Sequence, residues 1–423
     1  MTDETKKRSI IFLIGPGLML AATGVGAGDL AGGAFAGMKL GTAVLWAVVV
    51  GAFFKFVITE GLARWQLATG TTLLEGSVLY LGRVVQWVFL IYLLVWSFGV
   101  GSALISACGV AAHALFPVFD NPVMAKVSFG IIHSLVGLGL VWVGSFRFLE
   151  RTMTILVGIM IAVVLVTGVL IGADWSAVTS GLLIPRVPAT EGGVAWTLAL
   201  MGGVGGTLTV LCYGYWMQEE NRTDPGFLKT CRIDLGFSYF LMALFGIAMV
   251  VIADGMVLSG KGATLIIDLA DRLGDKMGST ARLIFLAGTW AAVFSSLLGV
   301  WQAVPYLFAD FWHLFRSKGL KPGNFKPFKV DTKGKTYRIY LVLLALIPLL
   351  GLRYDFQLVQ KLNAVFGALV MPMVALALLI LNGKASWVGN DHKNRWWTTA
   401  TLIGIVIFFG WVGGPKLISL MKG

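Results

Sequence analysis

The chain has 423 residues, of which 57% are hydrophobic and 13% charged, with a net charge of +12 and a mean hydropathy of +0.84. Soluble domains carry about 25% charged residues, so this composition argues against a soluble enzyme and predicts a polytopic membrane protein. The basic residues lie mainly in short loops between apolar runs, which points to membrane topology and away from nucleic acid as the reason for the positive charge.

Residues 1–9 are polar, with Lys6, Lys7 and Arg8, and the apolar run that follows is too long for a signal-peptide core, so it reads as a retained first span. Span one, about 10–37, contains Gly15-Pro16-Gly17 and then Gly24, Gly26, Gly28 and Asp29. Each glycine weakens a helix by about 1 kcal/mol relative to alanine. A charge at bilayer depth costs about 2.5–3.5 kcal/mol on the insertion scale, so Asp29 should face a cavity or a partner. It reads either as a cation ligand in an unwound helix or as a cap beside a close-packing glycine surface.

Span two, about 42–66, holds Lys55, deep enough to neutralise a carboxylate or to snorkel, and Glu60 with Arg64 at the helical i, i+4 spacing of a structural ion pair. Spans three to five are placed at about 84–115, 126–146 and 149–173. His133, alone in span four, reads as a satisfied interior residue.

Span six, about 193–217, is interrupted like span one, by Gly202, Gly203, Gly205 and Gly206, and continues with Thr207, Thr209 and Cys212. The two threonines read either as packing hydrogen-bonders or as site residues, and Cys212 as a weaker soft-ligand candidate. Glu219, Glu220 and Arg222 behind it read as a solvated charge cluster. Spans seven to eleven follow at about 233–254, 282–310, 337–352, 356–382 and 396–420. A short amphipathic surface helix is expected within 254–282, and a basic inner loop at 313–335 is expected to anchor on anionic headgroups. Asn363 and Lys361 in span ten could project into a vestibule.

Two glycine-broken helices, each opening a set of five, suggest an inverted repeat with span eleven left over. The whole chain, 1–423, reads as one integral domain: spans one to five over about 10–173, six to ten over about 193–382, then span eleven. An N-terminus inside puts 21 basic residues on the inner side and 10 outside, which supports N-inside, C-outside. Cys108, Cys212 and Cys231 have no paired spacing, so neither a disulfide framework nor a zinc motif follows. No nucleophile with a base or phosphate loop occurs, no cofactor is expected, and an enzyme is not indicated.

The order of Gly15-Pro16-Gly17, Gly26-Ala27-Gly28-Asp29, Ala68-Thr69-Gly70 with Leu73-Leu74-Glu75, and Val204-Gly205-Gly206-Thr207 resembles the NRAMP metal-ion transporters over nearly the whole chain. That resemblance implies an all-α LeuT-like fold of five plus five inverted spans with an eleventh helix. It implies an integral protein of a bacterial inner membrane, partnered by the lipid bilayer and a small inorganic cation. The departures are specific. The family's Asp-Pro-Gly-Asn stands here as Gly26-Ala27-Gly28-Asp29, and its Met-Pro-His as Thr209-Val210-Leu211. Span three offers no carboxylate between Ser102 and Cys108, and the tenth-span Gln is Val370.

Without the thioether and the proton-route groups, the resemblance implies a hard, partly hydrated divalent cation, Mg or Mn, moved by alternating access with weak or no proton coupling. Asp29 would be the charged ligand, Gly26 and Thr207 carbonyl donors beside Gly28, and Thr209 a hydroxyl or water-mediated contact. Cys212, Lys55 and Asn363 are secondary candidates. The rival expectations are a LeuT-fold carrier of another small solute and a non-transporting scaffold or receptor.

Overall fold

The structure, a computed structural model, describes residues 10–190, 192–257, 264–317, 325 and 327–413, and every regular element among them is helical. Among the described residues nine helices are long and apolar enough to cross a membrane, with 29–69 counted as one, and shorter apolar helices run over Ile14–Gly24 and Trp396–Trp411. Dividing 29–69 at the turn on Gly41, where φ is +66°, and joining its first part to Ile10–Gly24 across a break gives eleven spans among the described residues.

Span one is Ile10–Gly24, a π turn at Ala27–Ala31, and Gly32–Leu40. Span six is Gly193–Gly203, a 3-10 turn at Leu208–Cys212, and Tyr213–Glu219. Spans two to five are Leu45–Thr69, Arg83–Leu115, Pro122–Val143 and Phe146–Leu170. Spans seven and eight are Leu228–Ala253 and Ser279–Arg316. Span nine runs through Lys335–Leu346 into a 3-10 turn, span ten is Phe356–Ala368 followed by Val370–Leu381, and span eleven is Trp396–Phe408.

Each half therefore opens on a broken helix. Spans one and six pack against spans two, seven and eight, which buries both breaks. Whole faces of the outer spans stay exposed and apolar, for example Ile91, Leu94 and Val95 on span three and Ile155 and Ile159 on span five. In water that surface would be costly, whereas lipid covers it without loss.

The expected amphipathic helix is present at Leu265–Met277, burying Leu265, Ile266, Leu269 and Leu273. Span eight runs further than expected, to Arg316. Residues 318–324 and 326 of the basic loop, the N-terminal Lys6, Lys7 and Arg8, and residues 414–420 of the expected eleventh span lie outside the described residues.

One expected surface feature is interior. Arg222 is fully buried and pairs with Asp234 of span seven at 3.0 Å. The chain reverses just before it, at Asn221 (φ +54°), which turns Arg222 back beneath span one instead of out to water. Asp234 also accepts from the Gly17 amide (3.0 Å to each oxygen) and from the Tyr213 hydroxyl (2.9 Å). A Cβ at residue 17 would collide with Asp234, so glycine is what lets span one dock there. Glu219 accepts from Tyr306 at 2.9 Å.

Glu60 holds Arg64 at 3.2 Å as the spacing predicts, and also Arg232 of span seven at 2.8 Å. Arg64 continues to the His392 carbonyl (2.8 Å) and Asn394 (2.9 Å), tying span two to the loop before span eleven. His133 is saturated: Nδ1 donates to the Phe129 carbonyl at 2.7 Å while Nε2 accepts from Trp290 at 2.9 Å.

Candidate ion-binding site

The site forms where the two breaks meet. Helix Ile10–Gly24 ends in carbonyls with no helical partner, and hydroxyls of span eight reach them: Ser296 donates to the Thr23 carbonyl, and Ser295 approaches that of Ala22 at 3.4 Å. In span six the helix stops at Gly203, and Gly205 and Gly206 adopt φ of +74° and +84°, a left-handed pair that only glycine takes without strain. These glycines let the two backbones touch. A Cβ on Gly24 would lie 2.7 Å from the Gly206 nitrogen.

Two charges sit in this junction. Asp29, 1% exposed, accepts from the Gly205 amide with both oxygens, at 3.2 and 3.1 Å. Lys55, fully buried, reaches across from span two and donates to the Gly202 carbonyl at 2.6 Å and to the Gly206 carbonyl. Both charges are thus held by backbone groups of span six, between Gly202 and Gly206. Beside them Thr59 and Tyr239 share a hydroxyl contact of 2.8 Å.

The other face of the junction, toward spans three, eight and ten, holds a cavity of about 30 Å³, room for about two waters. Its polar lining is Thr23, Trp96, Thr207, Thr209, Ser296 and Asn363, with no charged side chain. Trp96 donates to the Thr207 hydroxyl at 2.8 Å, while the Asn363 carbonyl oxygen is buried with no hydrogen-bond partner.

Of the residues singled out in the sequence, Asp29 and Lys55 thus share one face of the break and Thr207, Thr209 and Asn363 the other. Gly28 lies in the π turn. The Gly26 carbonyl accepts from the Leu30 amide at 3.0 Å as the chain resumes helical bonding, and the Thr207 carbonyl accepts from the Val210 amide at 3.2 Å. A side chain at 26 would also run into Ser296. Cys212 is turned away from the cavity by the 3-10 turn, its thiol donating to the Ala303 carbonyl at 3.5 Å. Sequence reasoning missed Trp96, Ser295 and Ser296. Two adjacent hydroxyls in the otherwise apolar run 291–300 were the available signal.

Among the described residues no group of three or more His, Cys, Asp or Glu is placed to hold a metal ion. What the junction offers a cation is oxygen: the Asp29 carboxylate and the carbonyls of Gly202 and Gly206. Paired broken helices that meet around buried charges fit a membrane transporter of LeuT-like inverted-repeat fold.

The comparisons with known proteins agree. The family described as Natural resistance-associated macrophage protein-like (Nramp) matches residues 17–418. The chain is similar to the "Divalent metal cation transporter MntH" of Mycobacterium tuberculosis (strain ATCC 25618 / H37Rv), 23% identical over 425 residues, covering 95% of this chain and 92% of that protein. In fold it resembles the Eremococcus coleocola manganese transporter (TM-score 0.77, 16% identity, 98% of this chain and 87% of the other). MhsT in complex with L-phenylalanine is similar too (TM-score 0.62, 15% identity, 96% and 98%). The chain belongs to the Nramp family.

Proposed function

We propose that this Nramp protein carries a divalent cation of the hard, partly hydrated kind, Mg or Mn, across a bacterial inner membrane by alternating access, with weak or no proton coupling. The observation that carries the reading is the oxygen cradle at the meeting of the breaks. The Gly202 and Gly206 carbonyls converge on a positive charge with the Asp29 carboxylate in the same junction. Its present occupant is the chain's own ammonium, so the cradle is chemically a cation site. The ligands named are all oxygens, which suits a cation that keeps part of its water shell, while the buried Met242 thioether lies against Gly205 at the edge of the junction. Thr207 and Thr209 would meet that water from the cavity side. The name of the mycobacterial relative supports the divalent class, and the bias of basic residues supports an N-terminus inside and a C-terminus outside.

Uptake of Mn and Mg into proteoliposomes, read with an enclosed dye beside an internal pH indicator, tests this. Metal entry without acidification is expected, and Asp29→Ala should reduce it at least tenfold. Undiminished flux of both ions through Asp29→Ala would overturn the assignment.

A second reading rests on a separate observation: the cavity lining is polar but uncharged, and Asn363 presents an unpartnered carbonyl oxygen into the protein interior. A small polar organic solute with a hydrogen-bond donor fits that chemistry. Stabilisation of the purified protein by such a solute and not by Mn or Mg would favour it.

A further inference from the structure

Lys55 is a buried cation that the expected metal chemistry does not use. It lies one turn beyond Gly51, where span two packs so closely on span six that a Cβ would stand 2.6 Å from the Met201 carbonyl. From that anchored backbone the side chain reaches the Gly202 and Gly206 carbonyls, the acceptors that the break of span six leaves without helical partners. Removing the ammonium would leave two buried carbonyls and an uncompensated carboxylate at Asp29, a combination costly in a low dielectric.

We propose that Lys55 is a tethered surrogate for the transported cation: in the unloaded carrier its ammonium fills the cation position between the breaks, and the substrate enters as Lys55 withdraws. This rests on the cation reading above. Three features fit. The ammonium makes the contacts a cation would make. With Asp29 it brings the junction to zero net charge, so a divalent ion added beside a resident Lys55 would face unbalanced positive charge. The carbonyls it meets lie at the end of helix Gly193–Gly203 and in the break beyond it, beside glycines at φ +74° and +84°.

The consequence is kinetic. A carrier with an empty, unbalanced charge site reorients reluctantly, because the site must be carried across the protein interior unsatisfied. A carrier that refills the site with its own ammonium returns empty without that penalty. Lys55 therefore sets whether the protein performs net uptake or only exchange, and it weakens substrate binding by competing for the same oxygens.

The test uses the full-length protein in proteoliposomes with Mn as the probe. Lys55→Met removes the charge and keeps the length; Lys55→Gln also keeps a donor for the carbonyls. The expected result is at least tenfold slower net Mn uptake, Mn-for-Mn exchange retained within about twofold, and at least tenfold tighter Mn stabilisation in thermal-shift titration. Equal loss of net uptake and exchange, unchanged net uptake, or failure of both variants to fold would overturn the proposal and make Lys55 a structural residue. Wild-type protein that neither binds nor moves Mn or Mg would instead overturn the cation reading itself. That outcome is read before any variant is made.

Discussion

Gly26 and Asp29 lie three residues apart, yet their surroundings assign them opposite properties. Asp29 is held by an amide of span six, so its carboxylate is fixed in the break and its charge is answered by Lys55. Gly26 faces span eight, where the Cβ and hydroxyl of Ser296 occupy the space a side chain would need. An acidic residue there would be both overpacked and uncompensated. Gly26→Asp should therefore destabilise the protein by about 1–3 kcal/mol, the usual range for overpacking a tight site. Fluorescence-detected melting checks this, and adding Ser296→Gly should recover a large part of the loss. A Gly26→Asp variant as stable as the parent would show that the two spans are not in contact as described.

At the scale of elements, the short helix Leu73–Leu81 shows how the spans are fastened to one another at one end. Thr72 caps it by accepting from the Glu75 amide at 3.1 Å, and Glu75 returns a carboxylate oxygen to the Thr72 amide at 2.7 Å. The Thr72 hydroxyl donates to Asp310 of span eight at 2.8 Å, as does Tyr215 of span six at 2.6 Å, while Glu75 accepts from the Phe328 amide at 2.9 Å. Burial, and next the Asp310 carboxylate, push Glu75 up to about 8 from its ordinary 4.5.

A folded-state pKa raised in this way means that the folded protein holds a proton the unfolded chain gives up between these values. Stability from this group is greatest below about 4.5 and falls as pH rises toward 8. Tm measured across that window should decline with pH, and Glu75→Gln should flatten the decline; an unchanged slope would remove Glu75 as its source. The helix breaks themselves were legible, because runs of glycine in an apolar segment have few other uses. The partners of Asp29 were not: the Gly205 amide is 176 residues away in sequence, and no local pattern encodes which backbone donor a carboxylate will meet.

For the whole molecule, the bias of basic residues predicts an orientation that the packing alone leaves open. The native cysteines Cys108, Cys212 and Cys231 are all buried, so an introduced cysteine reports its own side. With an impermeant maleimide on right-side-out vesicles, Asp120→Cys should label and Lys384→Cys should not, both positions being exposed. The reverse pattern would invert the topology. The sequence by itself determined the membrane class, the eleven apolar runs, the two glycine-broken helices and the presence of two charges, Asp29 and Lys55, at depth. Each of these depends on composition or on residues near one another in the chain. Only the tertiary structure decided that Lys55 occupies the carbonyls of span six, that Arg222 turns inward to Asp234, and that Ser296 closes the space at Gly26. Those outcomes depend on which distant backbone groups are left without helical partners once the spans pack, and a buried polar group is paired by whatever reaches it in space.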